Sequence, residues 1–366
     1  MEIFKSNSIP GRTVHLQDGI ELLWFSGTDY LGMAHNEELR KHLITGFSFL
    51  GNHYGGSRNN SLRINVFEET EEELADFVRA PGALTVSSGM WAGQLVLKEI
   101  EAIVKKSGST AIHYHYAPGT HPAIRGNQYK SEKTTWNEWA HKTIETINRH
   151  NDSSAHIIVS DSIGSPWVEK FDFKLFDNLN HPNVWFVIDD SHGVGIIGKD
   201  GRGIYQELQK LAPHRVIVTA SLNKGMGIPA GVLFAEPDVI GLLRVSPWFS
   251  AASPPLPASM YALNIFLKEQ GYDDLYLRLM QNTVYLQDSI AECKYLTMVP
   301  GYPVMCTHVP QLFEYLLANG VLASKFPYPS AHDEPVTRIA ISALHQKEDL
   351  DRMAEVCISF QNKLKS

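Results

Sequence analysis

Two short stretches of this chain hold the residue types that acid–base and imine chemistry require. Residues 184–188 (Val-Trp-Phe-Val-Ile) are apolar without interruption and end in Asp189, Asp190, Ser191 and His192. Residues 216–218 (Val-Ile-Val) are again apolar, and Thr219 to Asn223 lead into Lys224, Gly225, Met226 and Gly227. Glycines beside a lysine strip side chains from around its ammonium, and a lysine in a dry pocket loses its proton readily and forms imines. An acid at the end of a buried strand lies where open α/β sheets bind their ligands. Each stretch also has a plainer reading, Asp189 and Asp190 as capping acids of a turn and Lys224 as an exposed loop lysine.

Taken together, Asp189, His192 and Lys224 match the needs of pyridoxal 5'-phosphate (PLP). Its pyridine nitrogen needs an acid to stay protonated, and its aldehyde needs a lysine to form a Schiff base. Its phosphate needs a cradle. Residues 87–91 (Ser-Ser-Gly-Met-Trp) are a small, polar opening to a helix, whose first N–H groups suit an anion, and Ser221 could add a hydroxyl.

The surrounding pattern predicts how these stretches are positioned. Residues 13–25 alternate around Asp18-Gly19 and predict a hairpin, followed by helices over 36–47 and 68–78. Strands are predicted at 83–86, 111–116, 156–160, 184–188, 215–220 and 231–235, with helices to about Lys106 and over 135–150. Consecutive apolar positions mark strands buried on both faces, and alternation with helices predicts an α/β fold with a mainly parallel sheet. Pro247, Pro254, Pro255 and Pro257 interrupt the pattern. Helical stretches, a strand at 336–342 and a helix at 348–363 follow. The expected division is an N-terminal segment (1–45), a large cofactor-binding domain (46–240) and a small α+β C-terminal domain (241–366).

At this point the chain resembles the α-oxoamine synthase family of fold-type I PLP enzymes, which includes 8-amino-7-oxononanoate synthase and 2-amino-3-ketobutyrate CoA ligase. The matching stretches are Asp29-Tyr30-Leu31-Gly32, Ser88-Gly89-Met90, Thr120-His121-Pro122, residues 189–195, Gly201-Arg202-Gly203, residues 221–227 and residues 338–345. They occur in the family's order and cover nearly the whole chain. The resemblance implies that His121 stacks on the pyridine ring, Asp189 pairs with its nitrogen, and His192 and Ser165 lie near its hydroxyl. It further implies that Ser88, Gly89, Met90 and Ser221 hold the phosphate and that Lys224 carries the cofactor and moves the Cα proton. Arg338 is implied for the amino-acid carboxylate, with Thr28 also on the substrate side. The implied reaction condenses an amino acid with an acyl thioester, usually acyl-CoA, with loss of carbon dioxide, in a homodimer.

Several positions depart from the family. Thr28 stands where asparagine is usual, residues 59–67 replace a glycine-bearing segment with a histidine, and Ser165-Pro166-Trp167-Val168 replaces Ser-Met-Asp-Gly. Ala251 stands where members offer a threonine across the dimer, with Ser250 and Ser253 beside it. These changes spare the cofactor set and touch the substrate surroundings, so a PLP-dependent aminotransferase is the alternative, and a non-catalytic descendant a minor one. Gly193-Val194-Gly195-Ile196-Ile197-Gly198 fits a dinucleotide-binding pattern, but Gly201 and Gly203 follow at once, where that motif should open a helix.

Composition narrows the field further. A net charge of −8 without a dense basic run argues against nucleic acid or an anionic membrane as partner. Three widely spaced cysteines suggest neither a zinc site nor a disulfide framework, so no metal is expected and a reducing cytoplasm is the natural setting. No run of 18 apolar residues occurs, and residues 1–10 do not resemble a signal peptide.

Overall fold

The computed structural model describes residues 3–106, 108–109, 111–328 and 333–365. In chain order the strands are β1 (Thr13–His15), β2 (Glu21–Phe25), β3 (Ala83–Val86), β4 (Ile112–Tyr116), β5 (Ala155–Asp161), β6 (Val184–Asp189), β7 (Val216–Ser221), β8 (Gly231–Phe234), β9 (Thr297–Met298), β10 (Val304–Thr307), β11 (Val321–Pro327) and β12 (Pro335–Ala340). The α-helices are α1 (Glu37–Leu50), α2 (Val66–Val78), α3 (Gly89–Lys106), α4 (Trp136–Asn148), α5 (Tyr205–Leu211), α6 (Pro237–Arg244), α7 (Pro247–Ser250), α8 (Pro257–Lys268), α9 (Asp273–Ser289), α10 (Leu312–Ala318) and α11 (Lys347–Lys365). Two compact units result: Glu37–Ile163 with Phe171–Gly271, and the residues up to Asn36 with Gly164–Lys170 and the chain from Tyr272 onward.

The larger unit is built on a sheet of order β3-β8-β7-β6-β5-β4. β4 to β7 run parallel, and β8 is antiparallel to both of its neighbours. Every residue of β3, β6 and β8 is buried, which explains their unbroken apolar runs. On one face, Leu95, Val96 and Ile100 of α3 pack with Leu84, Ile157, Val159, Val187 and Leu233. Each such side chain contributes roughly 1.5–3 kcal/mol by leaving water. On the other face, Phe186 meets Phe176, which packs in turn against Trp136 and Trp139 of α4. α4 starts on a capping box in which Thr135 Oγ1 accepts from Glu138 N, and Glu138 Oε2 from Thr135 N. The parallel register sets Asp161 opposite Asp189, and Asp189 opposite Thr219, so β5 and β6 end level with each other and β7 runs two residues beyond them.

The smaller unit holds a sheet of order β1-β2-β11-β12-β10-β9, in which only the β2–β11 pair is parallel. β1 and β2 form the expected hairpin. His345 joins this sheet to the chain after β12: its ring stacks on Phe25 at 3.9 Å, donates from Nε2 to Trp24 O at 3.0 Å and accepts from Ser342 N at Nδ1. β9 to β11 were not expected from the sequence.

The division differs from the expected breaks at 45/46 and 240/241. Residues up to Asn36 join the C-terminal part because β2 pairs with β11. Pro237, Pro247 and Pro257 do not end the larger unit; each opens a helix, where a missing N–H is harmless. α8 packs on α1 and α2, which keeps it in the larger unit to Gly271. No helix among the described residues is long and apolar enough to cross a membrane.

At the N-terminal ends of β4 and β5, His156 is fully buried at the centre of five imidazoles. His115 Nε2 lies 3.0 Å from His156 Nδ1, and the rings of His113, His150 and His181 centre 5.1, 4.8 and 4.6 Å from that of His156. Burial, and then the neighbouring histidines, push His115 down to about 4 and His156 to about 3, from 6.5. Both folded values are depressed, so the unfolded chain binds more protons below pH 6.5. Stability is therefore complete above that value and declines as pH falls toward about 4 and then 3. Thermal unfolding from pH 7.5 to 5 is expected to show a falling Tm, with a shallower slope in His156→Gln; equal slopes would refute this account.

Candidate functional site

The larger unit gathers its titratable groups where β5, β6 and β7 end. Asp189 closes β6 and is buried. Its Oδ1 accepts from Ser191 N at 2.9 Å, and its Oδ2 lies 3.4 Å from His121 Nδ1. Burial alone would raise its affinity for a proton, but the His121 hydrogen bond, the Lys224 and His121 charges and Ser191 outweigh it and hold the carboxyl below its ordinary range. Asp189 is thus an ionised acid kept dry.

Asp161, at the end of β5, takes the opposite state. Burial and the Asp189 carboxylate beside it push its carboxyl well above the usual range. Two acids opposed across adjacent strands cannot both ionise cheaply, and the pair settles with Asp189 charged and Asp161 protonated. Asp161 Oδ2 also accepts from His121 N at 2.9 Å. The sequence reading ended this strand at residue 160 and missed Asp161. The signal was present: it follows an apolar run, as Asp189 does.

His121 is held by its own turn. Thr120 Oγ1 donates to Ala117 O at 2.7 Å, and Arg125 Nε donates to Thr120 O at 2.6 Å. Nδ1 of His121 lies near both Asp189 Oδ2 and Ala123 N, the latter at 3.2 Å. A proton on Nδ1 serves Asp189, and a lone pair there serves Ala123, so the ionised Asp189 favours the first. His121 is therefore both a turn residue and an Asp189 partner. His192 is half-buried in the turn after β6.

The turn between β3 and α3 sits tightly on the ends of β7 and β8. Ser88 Oγ accepts from Trp91 N at 3.2 Å, capping α3. A Cβ on Gly89 would stand 2.5 Å from Ser221 Cβ, and one on Gly231 would stand 2.1 Å from Ser88 O. Ser221 N donates to Ser191 Oγ at 2.8 Å, which ties the same strand end to the Asp189 turn. The first N–H groups of α3, at Gly89 and Met90, have no intrahelical partner by construction and open beside Ser221. Lys224 follows in a tight loop closed by Leu222 N to Ala230 O and Ile228 N to Leu222 O, both 2.9 Å. An ionised buried acid, an imidazole on it, a lysine whose charge reaches it and a glycine-lined helix start fit the groups that PLP presents.

Ser165, Thr28 and Arg338 belong to the smaller unit, Ser165 in the segment Gly164–Lys170. Arg338 lies on β12, 5% exposed, so a surface ion pair is excluded. Its guanidinium donates to Gly27 O at 2.9 Å and to Tyr30 Oη at 2.6 Å. Among the described residues no carboxylate pairs with it. Its contact with Gly27 places Thr28 one residue from the guanidinium's acceptor. Ser250, considered beside Ala251, accepts from Asn59 Nδ2 at its hydroxyl, 2.7 Å away.

Comparison with known proteins gives a consistent picture. The family model described as aminotransferase class I and II matches residues 20–356. The chain is 28% identical over 359 residues to 8-amino-7-oxononanoate synthase of Petrotoga mobilis, covering 91% of this chain and 87% of that one. A solved serine palmitoyltransferase from S. paucimobilis with bound PLP–myriocin superposes with a TM-score of 0.82 at 15% identity, over 99% of this chain and 93% of that one. The 8-amino-7-oxononanoate synthase of Francisella tularensis gives 0.71 at 18%, over 94% and 98%. These two structures establish the fold.

The close approach of Gly89 to β7 has a measurable consequence. Gly89→Ala is expected to lower stability by about 1–3 kcal/mol, because the methyl group meets main chain as well as the Ser221 side chain. Urea denaturation checks this, and an unchanged midpoint would show that the turn has slack.

Proposed function

We propose that this chain, which belongs to the aminotransferase class I and II family, is a PLP-dependent acyltransferase that condenses an amino acid with an acyl thioester to give an α-oxoamine. The observation that carries the cofactor reading is the buried, ionised Asp189 with His121 and Lys224 acting on it. The acyl-transfer reading rests on the motifs shared with α-oxoamine synthases and on the curated relative of that activity. The products are the α-oxoamine, the free thiol and carbon dioxide.

PLP, when bound, supplies an electron sink for the carbanion at the substrate Cα. The chain's own residues do the rest. Asp189 keeps the pyridine nitrogen protonated, and His121 offers its ring as a stacking face. His192 and Ser165 serve the ring hydroxyl. The N–H groups of Gly89 and Met90, with Ser88 and Ser221, take the phosphate. Lys224 would hold the cofactor through Nζ, and, once the substrate amine has displaced it, the freed amine would be the base for the Cα proton. Arg338 receives the substrate carboxylate as a planar two-point donor, and Thr28 lines the same side. A desolvated guanidinium that meets a carbonyl and a phenol, and no carboxylate among the described residues, retains charge for such an anion. We place the enzyme in the cytoplasm as a homodimer, with an amino acid and an acyl-CoA as its substrates.

The decisive assay uses purified, PLP-loaded protein with a panel of amino acids, with and without acyl-CoA. Thiol release that depends on one amino acid, with loss of carbon dioxide, is expected. Keto-acid formation from amino acid alone would instead establish an aminotransferase. Lys224→Ala is expected to lose the visible absorbance of the loaded protein while keeping its fold. Asp189→Asn is expected to lose about a hundredfold or more in turnover. Asp161→Asn, replacing an acid already neutral, is expected to stay within about tenfold of the parent. Equal losses in the two Asn variants would refute the assignment of the charge to Asp189.

A further inference from the structure

We propose that Asp190 is a positioning residue whose buried carboxyl braces the turn of residues 193–203, and that this turn seats the loop carrying Lys224. The inference rests on the reading of Lys224 as the cofactor lysine. Asp190 is 1% exposed and is fixed at its main chain, where its N donates to Thr219 O at 2.7 Å and its O accepts from Gly193 N and Val194 N at 2.9 and 3.0 Å. The carboxyl reaches across the turn, and its Oδ2 accepts from Ile204 N at 2.9 Å.

The fit around that carboxyl is close on both sides. A Cβ on Gly193 would lie 1.8 Å from Oδ1, and one on Gly203 would lie 2.4 Å from Oδ2. Gly203 also has φ +78°, so glycine is required there twice over. The turn closes on itself through Gly195 N to Gly201 O at 2.8 Å and Gly203 N to Ile197 O at 2.9 Å. It then meets the Lys224 loop: a Cβ on Gly225 would stand 2.9 Å from Val194 O and 3.3 Å from Ile196 Cδ1. The residue next to Lys224 therefore rests on main chain that Asp190 holds in place.

Chemistry suits this role better than it suits a second counter-charge. Burial pushes the Asp190 acid up to about 7; the nearby Ser162 hydroxyl and Ile204 N–H oppose the rise, and the Asp189 charge adds to it. Oδ1 of Asp190, Ser162 Oγ and Thr219 Oγ1 make no well-formed hydrogen bond among the described residues. The groups that chiefly bear on Asp190 are thus one charge of its own sign and two neutral donors.

The test compares the PLP-loaded parent with Asp190→Ala and Asp190→Asn. Two quantities are read besides turnover: the dissociation constant for PLP, and the pH midpoint of the loaded protein's visible band. Asp190→Ala is expected to weaken PLP binding by about tenfold or more and to shift the midpoint by about half a pH unit or more, because Lys224 loses its seat. Asp190→Asn keeps an acceptor for Ile204 N–H without a charge and is expected to restore both nearly to the parent values. If Asp190→Ala is insoluble, Asp190→Ser carries the same readouts. Unchanged PLP affinity and midpoint in the Ala or Ser variant would overturn the brace, as would an Asn variant as impaired as Ala. A fall in thermal stability with no movement of the midpoint would likewise reduce Asp190 to a fold residue. A parent chain that shows no visible band with PLP overturns the Lys224 reading itself, a distinct failure.

Discussion

A carboxylate removed from water must be compensated or neutralised, and much of the larger unit's arrangement follows from Asp189 being compensated. The parallel register sets Asp161 directly across from it, which would be ruinous if both acids were charged. His121, Ser191 and Lys224 all favour charge on Asp189, whereas Asp161 mainly meets burial and its charged neighbour. The result is a graded set of acids within one strand end: Asp189 ionised, Asp190 near neutrality and Asp161 protonated. Desolvation pushes all three the same way; the specific partners decide which one escapes it.

The same economy of space appears in the main chain. The helix start at Gly89 presses on Ser221, Gly231 presses on Ser88, and Gly93 of α3 lies where a Cβ would stand 2.3 Å from Ala123 O. Through that last contact α3 abuts the turn that carries His121. One helix therefore shares main-chain contacts with the anion-receptive turn, the end of β7 and the His121 segment. Interiors packed this closely transmit small displacements instead of absorbing them.

How much of this was legible in the sequence depended on burial. β3, β6 and β8 are buried at every residue and read as largely apolar runs, and β4 (Ile-His-Tyr-His-Tyr), half-buried throughout, is legible by its place in the alternation of strands and helices. β9 has two residues, β10 reads Val-Met-Cys-Thr, and β11 passes from Val-Leu-Ala into Ser-Lys-Phe-Pro. None carries a period that separates strand from helix, and all three were missed. The cluster Pro247, Pro254, Pro255 and Pro257 interrupts the strand–helix alternation and suggests a boundary near residue 240, yet Pro247 and Pro257 each begin a helix. At the site, Asp189, His192 and Lys224 stand out by type and spacing, and His121 enters only through the family resemblance. Asp161 does not stand out, because its importance comes from a cross-strand register that no local pattern displays. Asp190 was visible only as the neighbour of Asp189; its enclosure by Gly193 and Gly203 is a property of the folded turn.

Arg338 poses the converse of the Asp189 problem. It too is buried, but its partners are Gly27 O and the Tyr30 hydroxyl, which accept hydrogen bonds without cancelling charge. A guanidinium cannot escape by giving up its proton, as Asp161 escapes by keeping one. Removal from water therefore leaves a standing positive potential, aimed by two fixed hydrogen bonds and by the Tyr30 ring 5.9 Å from its central carbon. A dicarboxylate or monocarboxylate ligand would relieve that potential, whereas a neutral one would not. Among the described residues no carboxylate meets Arg338, so its charge is met there by neutral acceptors alone.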